Sequence, residues 1–413
     1  MSFFEKNCTV AVVGGGIAGI AAALAVARCG KKVVLLEKSC VLGGLATNGL
    51  IYIYLPLCDG NGKQVIYGIA EELLRDSLTL GPGEIPSNWR NERNAIEPKR
   101  FRCTFSPASF MLSAEKLLLE AGVDIWYDTL VTDVHCAENN IEYIEICNES
   151  GKGRIYADTF IDASGSAIIA RRAKIPCIEG KNSMAAWALE YNADREQGAF
   201  GRYIDSFAVA MSAFDAESKV CMTEAVRKKY YDGMSEQQIS ELTASVGATG
   251  KGISDFILEN HRILRRHYEL DRSDRNSLFP IKIANMPQIR KLYAVKGSYV
   301  LDTGDDEKTF SDSVGVACDW RKAGKLWEIP YRSLYSENGI KNLLFAGRCI
   351  SSIGDAWEAT RVIPVAALTG ETAGVAASMS HDRKISAADL NVADLQDVLQ
   401  KRNIIIFKRD IFG

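Results

Sequence analysis

The 413-residue sequence predicts an α/β protein of three layers, a central parallel sheet between helices, with an α+β segment inserted into it. Three observations carry that expectation. A strand, a glycine turn and an alanine-rich helix follow one another at 9–30. A second strand runs into "DASG" at 162–165. A third, "NLLF", leads through Gly347-Arg348 into a long helix of small residues near the C-terminus. The first and last of these lie at opposite ends of the chain, so the domain they share is discontinuous.

Each element has a local reason. "TVAVV" (9–13) is short, apolar and β-branched, the pattern of a buried parallel strand. "IAGIAAALAVARCG" (17–30) reads as a helix ending at Gly30, a C-cap glycine. "KKVVLLEK" (31–38) is the next strand. The turn before the helix is Gly14-x-Gly16-x-x-Gly19. Gly14 permits the tight turn, Gly16 brings bare backbone to a pyrophosphate, and Gly19 lets the helix pack close to the strand. The helix N-terminus adds free N–H groups and about half a positive charge. Glu37 closes the second strand, where a carboxylate accepts from both ribose hydroxyls of an adenosine and repels a 2′-phosphate. The expected ligand is an adenine dinucleotide, NAD or FAD. A membrane span is not expected, because the apolar run at 11–25 is shorter than roughly 20 residues. The leader "MSFFEKNCT" balances Lys6 with Glu5, unlike a secretion signal.

Further along, Gly43-Gly44 forms a second glycine turn. "GIAEELLRDSL" (68–78) and "SPASFMLSAEKLLLEAGV" (106–123) have helical apolar spacing, and the proline- and charge-rich 81–100 reads as a loop. "DIWYDTLVTDVHCAENNIEYIEICN" reads as strands joined at "ENN". Residues 1–183 and 331–385 are assigned to the nucleotide domain and 184–330 to a substrate domain. Within the latter, "SMAAWALEYN" and "YIDSFAVAMSAF" are candidate strands. "SEQQISELTASV" carries a capping box from Ser235 to Gln238. "GATGKG" (247–252) follows a helical pattern and lacks nucleotide-loop spacing. The tail, 386–413, reads as a helix and a short apolar strand docking on the body. Pro364 suits the first turn of the last long helix.

Composition narrows the function. The net charge of −3 offers no electrostatic case for nucleic acid or an anionic membrane. Arg262, Arg265, Arg266 and Arg272 alternate with Glu269 and Asp271, as on a solvated helix face. The eleven cysteines form no Cys-x-x-Cys pair and no zinc or iron–sulfur spacing, so no metal site and a reducing, cytoplasmic setting are expected. Cys40, just after the second strand, has no close partner for a redox dithiol. The four histidines, 135, 261, 267 and 381, fall outside the glycine motifs and are read as structural.

The motifs "VVGGGIAGIAAALAVARCGKKVVLLEK", "LGGLATNG", "QVIYGIAEELL", "FIDASG", "GSYVLD", "FSDSV", "IPYRSLY" and "NLLFAGRCIS" run in order over most of the chain. Together they resemble the FAD-dependent oxidoreductases with a glutathione-reductase-like, Rossmann-like FAD domain, a broad group of largely unassigned substrate. The resemblance implies an extended, non-covalent FAD with its adenine end at Glu37. The cofactor contacts it implies are Gly14, Gly16, Ile17, Ala18, Gly19, Glu37, Lys38, Gly43, Gly44, Leu45, Ala46, Thr47 and Val131. They continue at Ala163, Ser164, Gly165, Gly347, Arg348, Asp355, Val362, Ile363 and Pro364. The isoalloxazine would lie near the loop after Gly44. The positive end of the helix starting at 362–365 would face its N1/C2 carbonyl edge and favour an anionic reduced flavin. Related enzymes carry Gly-Asp where this chain has Gly347-Arg348. They often carry histidines near Asp319-Trp320 and in the loop holding Asp355.

The chemistry so implied is hydride transfer between a small polar metabolite, anionic and polyhydroxylated ones included, and flavin N5, with an electron donor or acceptor left open. Arg361, Asp355 and Tyr331 are the catalytic candidates. Arg102, Arg290, Arg332 and Asn48 are the substrate-binding candidates, since arginines match carboxylates with a two-pronged donor fork. A flavin monooxygenase and a non-catalytic flavin-binding protein are the alternatives. The partner expected is a small molecule, and a homo-oligomer is left open.

Overall fold

The computed structural model describes residues 4–85, 102–182, 185–210, 224–235, 237–239, 249–337 and 339–412. The chain forms two compact units. The first comprises Met1–Ala46, Tyr52–Ile178 and Tyr293–Gly413; the second comprises Thr47–Ile51 and Glu179–Leu292. Most of the expected loop at 81–100 lies outside the described residues.

The first unit is built on a seven-stranded sheet. Five strands are parallel, in the order Asp124–Trp126, Val33–Leu36, Phe4–Val13, Gly151–Asp162 and Leu343–Phe345. The three-layer α/β expectation therefore holds. The other two, Leu130–Ala137 and Asn140–Asn148, form an antiparallel hairpin laid against Gly151–Ile155. Its turn residues, Glu138 and Asn139, have φ of 48° and 65°. Two left-handed residues give a loop whose twist matches that of its strands, so "ENN" is a true hairpin signal.

Two helices pack on each other in parallel: Ile17–Arg28 and Ile363–Arg383. The contact is made by absence of side chains. A Cβ on Gly370 would lie 2.1 Å from the Ala18 carbonyl oxygen, and one on Gly374 would lie 2.5 Å from that of Ala22. Both contacts climb the two helices in the same direction, so both N-termini lie at the same end. The chain closes on itself there, joining residues more than 340 positions apart.

Four boundaries differ from the sequence reading, the first being that the second unit takes up at Glu179 and not at 184. Residues 293–330 belong to the first unit, because strand Ser313–Cys318 packs beside the closing helix Ile363–Arg383. Thr47–Ile51 leaves the first unit for the second. The tail forms the helix Val392–Lys401, but Ile404 to Ile406 pair with no strand. Ile404 and Ile406 are instead buried by side-chain packing, and the Ile406 carbonyl accepts from Ser313 Oγ at 2.6 Å.

The second unit holds an antiparallel sheet, Ile204–Ala210, Ala185–Asn192 and Leu278–Ile283, covered by the helix Gly250–Asp271. Thr249 caps that helix, accepting from Gly252 N–H at 3.1 Å, so "GATGKG" ends as a helix start. The capping box forms: Ser235 N–H donates to Gln238 Oε1 at 2.8 Å, and Gln238 N–H to Ser235 Oγ at 3.2 Å. Arg265, Arg266 and Arg272 are exposed as expected. Arg262 is not, because it turns inward to pair with the buried Glu259 at 2.7 Å. His267 is clamped between Glu190 (2.9 Å) and Asp271 (2.6 Å).

Substituting Gly370 by valine should lower the unfolding free energy by about 1–3 kcal/mol, the range for overpacking a tight contact. A denaturant titration of wild type against variant measures this.

Candidate functional site

The glycine turn lies where strand Phe4–Val13 meets helix Ile17–Arg28. Gly14 has φ of +104°, and a Cβ there would strike Ala163 O and Ser164 Cα at 2.7 Å. A Cβ on Gly19 would sit 1.8 Å from the Gly14 oxygen. Both glycines are therefore required by packing alone. Gly16 differs: a Cβ there would meet no atom within 4 Å. The space before it is open, as a pyrophosphate approach demands. Gly16 is also the N-cap, and no side chain caps the helix. The N–H groups of Ile17, Ala18 and Gly19 begin the helix behind it.

Three further turns converge on this one. Gly43 N–H donates to the Gly15 carbonyl at 2.8 Å, and a Cβ on Gly44 would lie 3.2 Å from Gly16 Cα. Gly347 has φ of +71°, and its Cβ would meet Ala18 Cβ at 2.7 Å. Its N–H donates to Thr369 Oγ1 on the closing helix at 2.9 Å. Arg348 Nε donates to the Gly165 carbonyl at 2.7 Å. Asp162, fully buried, holds the "DASG" turn in shape. It accepts from Ser164 Oγ (2.6 Å) and from the N–H groups of Ile169 (2.8 Å) and Ala170 (3.2 Å). Burial pushes its carboxyl up, and these donors pull it back. Asp162 was quoted in the motif but not assigned a role by sequence. Its signal was the lone acid at the end of a buried strand.

Glu37 is buried, and its carboxylate is oriented by the turn. Oε2 accepts from Gly15 N–H at 2.7 Å and Oε1 from Ser39 N–H at 2.8 Å. Each oxygen keeps a lone pair for a ribose hydroxyl. Ala46, Ala163 and Pro364 are buried, Leu45, Ile363 and Val362 are half-buried, and Lys38 is exposed. Val131 is buried in the hairpin, paired with Ile146. Thr47 and Asn48 belong to the second unit, where the Asn48 carbonyl accepts from Asn285 N–H at 2.8 Å.

An adenine dinucleotide fits these residues on two observations. The first is the open approach at Gly16. The second is Arg348, a partly buried guanidinium whose pKa desolvation, with Arg361 nearby, pushes down to about 10. A cation disfavoured by its surroundings is relieved by a bound phosphate. The closing helix adds a second end with no side-chain cap, its N-cap at Val362.

The catalytic and substrate candidates fare differently. Tyr331 is fully buried and its hydroxyl donates to the Ala387 carbonyl at 2.9 Å, as a core residue would. Asp355 is bound by Arg321 at 2.8 Å, and Arg321 also grips the buried Asp319 at 2.9 Å. Arg361 pairs with the buried Glu358, and Arg332 with Asp312 at 2.8 Å. Arg102 is exposed in the first unit, and Arg290 is half-buried in the second. Within the first unit, Arg332 and Arg361 are each engaged by a carboxylate of their own. Arg321 and Glu358 were not among the sequence candidates: the Arg321–Asp355 pair spans 34 positions and leaves no periodic signal, whereas Glu358–Arg361 sits at an i,i+3 helical spacing that could have found it. A cavity of about 1240 Å³ beside Arg28, Glu72 and Arg402 contains none of the glycine-turn residues. Among the described residues no single helix is long and apolar enough to cross a membrane.

The chain belongs to the FAD dependent oxidoreductase family, whose model matches residues 9–399. FAD is the family's cofactor, and the residues above would hold it by non-covalent contacts. No curated protein compared with the chain matches it. Among solved structures, a geranylgeranyl bacteriochlorophyll reductase-like protein from Thermoplasma acidophilum is 13% identical, with TM-score 0.46. The match covers 97% of this chain and 93% of that one. The myxobacterial chondrochloren halogenase CndH is 14% identical, with TM-score 0.47 and coverages of 96% and 79%. The p-nitrophenol 4-monooxygenase PnpA from Pseudomonas putida is 11% identical, with TM-score 0.45 and coverages of 97% and 86%.

Alanine at Gly16 should leave apoprotein stability within about 0.5 kcal/mol while weakening FAD binding at least tenfold. Methionine at Arg348 should weaken FAD binding by about 1.5–3 kcal/mol, the range for a charged hydrogen bond. Flavin-fluorescence titration of the apoprotein reads both.

Proposed function

We propose that this oxidoreductase exchanges hydride between a C–H bond of a small polar metabolite and FAD, with a separate electron donor or acceptor restoring the cofactor. The nucleotide fold is read as the glutathione-reductase-like type. One observation carries the proposal: two helices packed in parallel bring two side-chain-free N-termini to the glycine turns.

The bound cofactor supplies an electron-accepting ring system. The chain's own residues do the rest. The Gly14–Gly19 turn and the first helix bind the phosphates, with Arg348 beside Gly165 adding positive charge. Glu37 orients the adenosine ribose. The start of the closing helix, Val362 to Pro364, offers its positive end to negative charge that builds up on reduction. Trp357 Nε1 donates to the Arg348 carbonyl at 2.8 Å and anchors the turn that carries this arginine. Arg361 and Arg332 already face carboxylates, which favours an uncharged polar substrate over an anionic one.

The test is anaerobic. A panel of hydroxylated metabolites is added to the yellow holoprotein, and the visible flavin band is followed. Bleaching by a metabolite alone, reversed by an added dye acceptor, is the expected result. Bleaching only by NADH or NADPH, followed by hydrogen peroxide release in air, would replace this reading with a monooxygenase. A flavin that responds to neither would mark a binding protein without turnover.

A further inference from the structure

The second unit contains a cavity of about 330 Å³, formed wholly by its own residues. Trp187, Leu264 and Ile283 give it apolar walls; Asn260, His261 and Gln288 give it polar ones. Among the described residues, no lysine, arginine, aspartate or glutamate lines it.

Gln288 is decisive. It is 2% exposed, and its Nε2 donates to the Gly49 carbonyl. That bond fixes the amide, because the opposite orientation would set two acceptor oxygens against each other. Oε1 is thereby turned away from Gly49, and it is buried with no hydrogen-bond partner. Asn260 Oδ1 is a second buried acceptor with none. Each orphaned acceptor forgoes the hydrogen bond that a buried polar group needs. Two such groups at the wall of one cavity make it a place built for donors. His261 adds a third polar group, and it alone of the four histidines has no carboxylate partner among the described residues.

We propose that this cavity binds a small, flat, uncharged molecule that carries two or more O–H or N–H donors on an aromatic frame. The orphaned amide oxygens select the donors, the apolar walls select the ring, and a described wall without charged side chains disfavours ions. The volume, at the small end of the roughly 300–1,000 Å³ usual for ligand sites, suits one or two fused rings. The site needs neither the flavin nor a redox step, so it stands independently of the reaction proposed above.

Calorimetric titration of the holoprotein with 2,7-dihydroxynaphthalene and with 2,7-dimethoxynaphthalene tests it. The two share a ring, and only the first donates. The dihydroxy compound should bind at least tenfold more tightly. Asn260→Leu and Gln288→Met should each cut that preference by about tenfold, with the flavin absorption spectrum unchanged. Equal binding of both compounds, binding of neither, or an Asn260→Leu protein that keeps the full preference would overturn the proposal. The last measurement stands even if Gln288→Met fails to fold, because Asn260 makes no bond that another element relies on.

Discussion

The close approach of two helices is the constraint on which the rest of the first unit depends. Ala18 lies against Gly370 and Ala22 against Gly374, backbone on backbone. No larger side chain fits at either glycine. The contact brings residues 346–364 onto the turn at 14–19, and with them Gly347, Arg348 and the start of the closing helix. Burial follows the same line. Ile20 to Val26 and Val365 to Ala377 are almost entirely shielded from water, so each helix is enclosed on every face where a surface helix would bury one stripe, the second even taking Glu371 and two threonines inside.

The positive character of the site comes largely from backbone. Two helix ends without side-chain caps and a set of glycine turns leave N–H groups at one place, and Arg348 adds a desolvated charge. Around this the chain spends its carboxylates on its own arginines. Asp319 and Asp355 flank Arg321, Glu358 holds Arg361, and Asp312 holds Arg332. The Glu358–Arg361 pair is nearly buried, with side chains 4% and 10% exposed. Removing one partner of such a pair is costly, because the other is left charged and out of water. These pairs shape the loop that leads into the closing helix. They also engage two of the arginines, Arg332 and Arg361, that a reading by residue type offers as site residues.

The second unit solves a different problem. Its helix Gly250–Asp271 buries Glu259 and His267 among carboxylate, guanidinium and phenol partners. Its cavity leaves two amide oxygens unmatched.

The glycine fingerprint, the strand–helix alternation, the hairpin at Glu138-Asn139 and the capping box at Ser235 were legible in the sequence. Each rests on backbone conformation or on a periodicity confined to neighbouring residues. The resemblance to flavin enzymes rested on the order of such motifs, and the family match agrees with it at the level of FAD oxidoreductase. Tyr331, Arg361 and Asp355 looked like site residues because their types and motif positions suited chemistry. Glu358 stands at i,i+3 spacing from Arg361, whereas the partners of Tyr331 and Asp355, Ala387 and Arg321, lie far along the chain and carry no mark of the pairing. The same holds for the extended "NIIIF" tail, whose apolar run suits a strand but finds no free sheet edge. Local conformational preference and periodic burial belong to the sequence itself. Which charge meets which, which tyrosine is walled in and which amide oxygen is left unmatched were decided only by the fold, because those outcomes depend on contacts between segments far apart in the chain.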